Sequence, residues 1–220
     1  MPTDTAESAP PLLALDPIQA RLLGALIEKE ATTPEAYPLT ANAAVLACNQ
    51  KNNRDPVMEL EPGEVGHALR EMEGMGLIRS VHGARAQRYE HRFAQAYSVT
   101  VKQQAVLSVM LLRGPQTVAE LFTRCERLSA FADADEVRQT LERLMQRTPT
   151  LVVKLARASG QREDRYMHLL CGEVDETAFA LPARQSVTSD RGALEARVES
   201  LETELQSLRS ELDELRARLT

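Results

Sequence analysis

An internal duplication constrains the fold of this 220-residue chain more than any other feature. Segments 15–93 and 101–171 contain the same short motifs in the same order, at offsets of 72 to 85 residues. The recurring pairs are Glu64-Val65-x3-Leu69 with Glu136-Val137-x3-Leu141, Arg88-Tyr89-x-His91 with Arg165-Tyr166-x-His168, and Gln19-Ala20-x-Leu22 with Gln104-Ala105-x-Leu107. Because a shared order of several motifs is improbable by chance, we predict two copies of one fold.

Capping and turn residues divide each copy into helices and a hairpin. In the first copy, Asp16-Pro17 suits the start of a helix, Thr40 can cap a second helix, and Pro62 opens a third. Residues 57–60 are predicted to form a short strand before the third helix. In the second copy, Asp133 or Asp135 caps the third helix. The predicted hairpin strands are 77–81 with 87–93, and 151–156 with 165–171.

This order of elements is typical of a winged helix-turn-helix. The expected fold is therefore mostly α, of the α+β class, with two tandem winged helix-turn-helix domains followed by a C-terminal coiled-coil helix. The predicted divisions are a disordered tail (1–14), domain 1 (15–97), domain 2 (98–172), a linker (173–193) and the coiled coil (194–220).

One helix of the second copy is unusually apolar. Residues 105–112 read Ala-Val-Leu-Ser-Val-Met-Leu-Leu, with apolar side chains on nearly every side. A helix of that composition is buried all round. We therefore expect it to lie between the two repeats or between two subunits.

A heptad pattern ends the chain and predicts a homodimer. Apolar residues there alternate at spacings of four and three, as the a and d positions of a coiled coil do. In a parallel pair, oppositely charged residues such as Arg197 and Glu202 face each other across the seam. The alternative is a solitary amphipathic helix lying on its own domains. The predicted dimerisation residues are Leu194, Val198, Leu201, Leu205, Leu208, Leu212, Leu215 and Leu219.

Charge and side-chain chemistry make the second repeat the better candidate for nucleic-acid binding. The whole chain has a net charge of −6, yet residues 98–172 carry 11 Lys and Arg against 8 Asp and Glu. If its third helix buries Val137, Leu141 and Leu144, the outward side includes Glu142 besides Arg and Gln, which can bond guanine and adenine edges bidentately. The alternative is an ordinary solvated helix face. The candidate DNA-binding residues are Arg138, Gln139, Arg143 and Gln146 on the helix, and Lys154, Arg157 and Arg162 on the hairpin.

The third helix of the first repeat is a poor candidate for the same role. Its outward residues include His67, Arg70 and Glu71, with Glu64 and Glu73 on the flanks. Acidic side chains repel the phosphate backbone. We do not expect this helix to enter a DNA groove.

The most unusual local run is Asn-rich and extends from Cys48 to Val57. As a functional surface, its amides and cations could hold phosphates or a partner backbone; the residues concerned are Asn49, Lys51, Asn52, Asn53 and Arg54. As plain structure, Asn supplies a left-handed helix cap, and Arg54 pairs with Asp55 or with the last helix carbonyls. The structural interpretation is favoured.

Enzymatic chemistry finds little support in the sequence. The four His residues are dispersed, and no catalytic, phosphate-loop or metal-ligand motif occurs. The three Cys residues form no Cys-x-x-Cys pair. We therefore expect no catalytic residue, cofactor or metal site. Because no segment suits a signal peptide or a membrane span, the expected location is the cytoplasm, without membrane association.

Two motifs carry a family resemblance. The run Asn-Gln-Lys-Asn-Asn-Arg-Asp-Pro-Val (49–57) and the segment Glu-Val-Gly-His-Ala-Leu-Arg-x-Met-Glu (64–73) resemble the YceH-like proteins. These are uncharacterised bacterial proteins with tandem winged-helix domains. The resemblance implies the fold and a bacterial origin, but no activity or site.

Two functions from different classes follow. The first is a non-enzymatic, DNA-binding protein of the transcriptional-regulator type. The alternative is a protein–protein interaction adaptor whose winged-helix domains bind a partner. The acidic first repeat and the apolar helix at 105–112 favour the alternative, whereas the outward side of the second repeat favours DNA.

Overall fold

The computed structural model describes residues 14–82, 86–155 and 163–174. Within those residues the chain is a mixed α/β protein with seven α-helices and two small antiparallel sheets. The predicted coiled coil and nearly all of the predicted tail and linker lie outside the described residues, as do Arg157 and Arg162.

The same element order occurs twice. The first segment contains α1 (Pro17–Thr32), a short 3-10 helix (Pro34–Ala36), β1 (Leu39–Thr40), α2 (Ala41–Cys48), α3 (Pro62–Gly74), β2 (Ile78–His82), β3 (Gln87–His91) and α4 (Phe93–Tyr97). The second segment contains α5 (Val101–Arg113), β4 (Gln116–Thr117), α6 (Val118–Cys125), α7 (Ala134–Met145), β5 (Val152–Leu155) and β6 (Arg165–His168).

Sheet topology and register also match between the two segments. The strand orders are β1-β3-β2 and β4-β6-β5, so the last strand is central in both sheets. Tyr89 pairs with Leu39, and Tyr166 pairs with Gln116. The repeated Arg-Tyr-x-His motif therefore lies on equivalent central strands. Its arginines also have equivalent contacts: each donates a hydrogen bond to a proline carbonyl, Arg88 to Pro38 at 2.7 Å and Arg165 to Pro115 at 3.2 Å.

The predicted helix caps are confirmed. The Asp16 carboxylate accepts hydrogen bonds from the backbone N–H groups of Ile18 (2.7 Å) and Gln19 (2.8 Å). Thr40 caps α2, and Asp133, rather than Asp135, caps α7. Gly76 follows α3 with φ of +74°, a conformation that glycine adopts without steric cost.

The prediction of a strand at residues 57–60 is wrong. The third strand of the sheet is instead the two-residue β1, which lies before α2. The side chain of Asn49 both donates to the Leu60 carbonyl (2.8 Å) and accepts from the Leu60 N–H (2.9 Å). Because the Asn49 side chain hydrogen-bonds both backbone groups of Leu60, Leu60 needs no partner strand. Strands β3, β5 and β6 are shorter than predicted, β2 keeps the predicted length but is shifted by one residue, and α4 was not predicted.

Helices α1 and α5 pack closely against each other. Residues 105–112 of α5 are all buried, which confirms the prediction for that helix and places its contact between the repeats. Ser108 Oγ donates to the Gly24 carbonyl at 3.3 Å. A Cβ atom at Gly24 would lie 2.9 Å from Leu112 Cγ, so glycine permits this approach. One continuous apolar cluster contains residues of both segments.

Candidate nucleic-acid interface

The outward side of α7 is the surface that the sequence analysis predicted as a candidate for DNA binding. Val137, Leu141 and Leu144 are fully buried, as predicted. That anchoring leaves the opposite side in solvent, and Arg138, Gln139, Arg143 and Gln146 are all exposed. We refer to these four residues as the α7 face. The first three lie on α7 and Gln146 is its C-cap, and the first repeat covers none of them.

Acidic neighbours reduce the positive charge of the α7 face. Arg138 forms an ion pair with Asp135 and keeps 51% of its side chain exposed. Lys102 hydrogen-bonds the Glu136 carboxylate, which lowers the pKa of that carboxyl. Arg143 forms no hydrogen bond or ion pair with the described residues, although its charge also contributes to lowering the pKa of Glu136.

A shallow depression lies beside the α7 face, where the start of α5 meets α7. Gln139 and Arg143 line it together with Thr100 and Val101, and its volume is about 440 Å³. The Val101 side chain is largely exposed there. Polar side chains and one exposed apolar side chain therefore line the depression together.

The hairpin contributes less than predicted within the described residues. Lys154 pairs with Asp164 at 2.7 Å, so an acidic side chain accompanies its charge. Arg147, close to the α7 face in sequence, donates to the carbonyls of Ser98 (2.8 Å) and Tyr97 (2.9 Å). Its guanidinium group therefore binds the backbone at the end of α4 and is not free to bind a ligand.

The corresponding surface of α3 has a different composition. Alignment of Glu64 with Glu136 places Glu71 opposite Arg143 and His67 opposite Gln139. The Glu71 carboxylate contacts His67 at 3.2 Å and accepts a hydrogen bond from the Gln19 amide at 3.1 Å. At this position α3 carries an acid and α7 an arginine, while one residue earlier Arg70 of α3 lies opposite Glu142 of α7.

The Asn-rich run is anchored by a buried arginine, so the inclusion of Arg54 in a surface motif was wrong. Its side chain is fully buried and pairs with Glu28 at 2.6 Å. It also donates to the Ala47 carbonyl at 2.8 Å. The predicted bond from Arg54 to a carbonyl at the end of α2 is therefore present. The carboxylate that pairs with Arg54 is Glu28, however, and not the predicted Asp55. The reason is that α1 passes beside the end of α2.

The other residues of the run divide between structure and surface. Asn49 holds Leu60, while Asn53 has φ of +63° and accepts a hydrogen bond from Arg113 of the second repeat. The Asp55 N–H donates to the Leu112 carbonyl at 2.9 Å. Lys51 and Asn52 remain exposed. The run therefore connects the two repeats and presents a short polar loop.

Sequence comparison establishes the family. Residues 15–161 match the family model described as "Protein of unknown function, DUF480". The chain belongs to the DUF480 family. A UPF0502 protein of Stenotrophomonas maltophilia (strain R551-3) is 59% identical over 178 residues, which is 81% of each protein. A UPF0502 protein of Xanthomonas campestris pv. campestris (strain B100) is 56% identical over 196 residues, 87% of each. The resemblance to uncharacterised bacterial proteins is confirmed.

Sequence reasoning missed a second buried arginine of this DUF480 chain. Arg21 donates to the carbonyls of Cys48 (3.3 Å) and Pro56 (2.6 Å). Burial lowers the pKa of Arg21, and the nearby Arg54 lowers it further. The position of Arg21 between apolar residues of α1 is the sequence feature that could have predicted its burial.

Two buried cysteines of the DUF480 chain, Cys48 and Cys125, belong to its apolar core. Burial raises the pKa values of Cys48 and Cys125 to about 12, so these thiols stay protonated at neutral pH.

Within the part of the chain that the structure describes, no cluster of His, Cys, Asp and Glu is arranged to hold a metal ion. In the same residues, no helix has the length and apolar character needed to cross a membrane.

Proposed function

We propose that this protein is a non-enzymatic, cytoplasmic DNA-binding protein, and that the α7 face contacts DNA. The observation that carries the proposal is the composition of that face. It holds two arginines and two glutamines, all exposed, together with the exposed acid Glu142, on a helix anchored by three buried apolar side chains. Arg and Gln make bidentate contacts with base edges, so a helix of this kind suits the major groove.

The proposal treats 15–97 and 98–172 as winged helix-turn-helix domains. The repeated order of elements and the repeated sheet topology support this assignment. In this architecture α7 is the recognition helix, while the β5–β6 hairpin lies near phosphates and contributes Lys154, Arg157 and Arg162. Segment 194–220 would pair two chains, so that two α7 faces read half-sites about one DNA turn (~34 Å) apart.

Titration of the full chain against duplex DNA at several salt concentrations tests the proposal. The logarithm of the binding constant should fall steeply with the logarithm of the salt concentration, because binding releases counterions from the phosphates. An Arg143→Ala variant should weaken binding by about 1–3 kcal/mol if the residue contacts a base.

Arg70→Ala is the matched control. Arg70 is also an exposed arginine with no described partner, and it lies on the outward side of α3. This variant should bind DNA as the parent chain does. A shallow salt dependence, or equal losses for the two variants, would contradict DNA recognition by α7.

The adaptor function remains the second candidate, and a specific observation favours it. Leu46 on α2 is 73% exposed and Val57, at the end of the Asn-rich run, is 53% exposed, although both are apolar. Exposed apolar side chains are common at protein interfaces. The adaptor would replace DNA binding if a defined protein partner binds the chain after nuclease treatment and a Leu46→Asp variant loses that partner.

A further inference from the structure

A polar cleft separate from the α7 face lies between the end of α1, the Asn-rich run and the residue Arg127, which follows α6. It has a volume of about 350 Å³, within the size range of small-ligand sites. Residues from both repeats line it. Clefts between structural units are common places for ligands.

Three cations of this cleft lack an acidic partner. Lys29, Lys51 and Arg127 come from three separate elements and line the same cleft. None of them forms an ion pair with any residue in 14–82, 86–155 or 163–174. Other cations of this acidic chain do have carboxylate partners, as Arg79, Lys102 and Lys154 do. The three cleft cations are therefore available for an anion.

The single carboxylate that lines the cleft does not cancel this charge. Glu28 is 15% exposed, and both of its oxygens accept hydrogen bonds from Arg54, at 2.6 and 3.2 Å. The buried Arg54 guanidinium thus balances the negative charge of Glu28.

Uncharged donors complete the lining. The Gln50 side chain uses its oxygen to accept from Arg54, so its amide N–H groups remain available. Asn52 is exposed on the same loop. Because Arg54, Asn49 and Asp55 fix both ends of the loop, these donors are held before a ligand arrives. Several donors around a multiply charged oxyanion are what phosphate recognition requires.

We propose that this cleft binds the phosphate group of a phosphorylated small molecule. Lys29, Lys51 and Arg127 supply the charge, and Gln50 and Asn52 supply neutral hydrogen bonds. Arg127 can donate two parallel N–H groups to a phosphate, whereas the lysines act as point charges. This inference does not depend on DNA binding by the α7 face.

Calorimetric titration of the full chain with inorganic pyrophosphate tests the inference. Saturable binding is expected, and Arg127→Ala should weaken it about tenfold or more, as the loss of a charge-assisted hydrogen bond does. Lys51→Ala should weaken binding in the same direction. Arg70→Ala removes the same charge from a distant exposed site and should leave pyrophosphate binding unchanged. Inorganic sulfate, with its single tetrahedral group, should bind more weakly than pyrophosphate.

The outcomes separate two sources of phosphate. If a short duplex DNA fails to displace pyrophosphate, the cleft is a small-molecule site, as proposed. Displacement by the duplex, together with weaker DNA binding by the Arg127→Ala variant itself, would assign the cleft to the nucleic-acid backbone and overturn the small-molecule source. No measurable binding of pyrophosphate, or equal weakening by Arg127→Ala and Arg70→Ala, would overturn the site itself.

Discussion

Arg21 and Arg54 place two buried positive charges at the end of α2. The last carbonyls of a helix carry partial negative charge, so both guanidinium groups lie where the helix dipole favours a cation. Glu28 supplies the full negative charge that Arg54 requires. The arginines therefore stabilise the crossing of α1, α2 and the Asn-rich run.

Arg54→Ala should destabilise the fold by about 3–5 kcal/mol, because it leaves Glu28 and the Ala47 carbonyl without their buried partner. Urea unfolding of the full chain measures this loss. Lys51→Ala, three residues earlier on the exposed loop, is the control and should change the free energy of unfolding by less than about 0.5 kcal/mol. Similar stabilities for the two variants would contradict a structural role for Arg54.

His168 should make stability fall in mild acid. Burial lowers the pKa of His168 from 6.5 to about 4, so the folded state resists a proton that the unfolded state accepts. Stability is therefore unaffected above pH 6.5, falls below it, and stops falling from this cause near pH 4. Between pH 7 and pH 5 the loss should be about 2 kcal/mol.

The His168→Phe variant isolates this effect, since it fills the same buried place without a titratable ring. Urea unfolding at pH 7 and pH 5 should then show little difference in stability. The interval lies above the ordinary pKa of 4.5 for Glu, so the depressed carboxyls of Glu30 and Glu136 contribute little there. An undiminished loss in the variant would refute the role assigned to His168.

Local sequence predicts some of these residues but not their distant partners. Asp16 and Thr40 cap helices through atoms two or three residues away, so their roles follow from neighbouring residues. Arg54 instead pairs with Glu28, 26 residues earlier in the chain. No periodicity encodes such a pair, because it depends on how the helices cross.

At the scale of elements, the α1–α5 contact joins the two repeats. Gly24→Ala should destabilise the protein by about 1–3 kcal/mol, although alanine favours helix, because the new Cβ meets Leu112 and Leu111 within about 3 Å. Thermal or urea unfolding measures the change. Gly74→Ala is the matched helical control: nothing lies within 4 Å of its Cβ position, so its stability should stay equal or rise.

Element prediction succeeded where caps and apolar spacing are clear, as in α1, α3, α5 and α7. It failed at β1, because a two-residue strand has no detectable alternation. It also failed at α4, whose five residues follow directly from β3. The buried character of 105–112 predicted a contact, but only the structure identified α1 as the element packed against it.

At the scale of the whole molecule, two matching frameworks carry unlike outward surfaces. The α7 face has two arginines and two glutamines, while the equivalent side of α3 carries Glu71 and His67 with the single arginine Arg70. Sequence reasoning located this difference because outward positions follow from the buried triad. It could not locate the phosphate cleft, whose three cations are distant in sequence and meet only in the folded chain.

The heptad segment predicts that the full chain is a dimer in solution. Replacing Leu205 and Leu212 with Asp should convert it to a monomer, because charges at a positions disrupt an apolar seam. Sedimentation equilibrium measures the mass. Gln206→Asp, at a solvent-facing b position of the same heptad, should remain dimeric. A monomeric parent chain, or a dimer that survives the double substitution, would contradict pairing through this segment.

Hydrogen exchange on the full chain with duplex DNA tests the central proposal most directly. The account predicts slower exchange of backbone amides in α7 and at the start of α5, with α3 unchanged, and no such protection in an Arg138→Ala, Arg143→Ala double variant. Protection confined to α2 and the Asn-rich run, or none anywhere at saturating DNA, would contradict recognition by the α7 face.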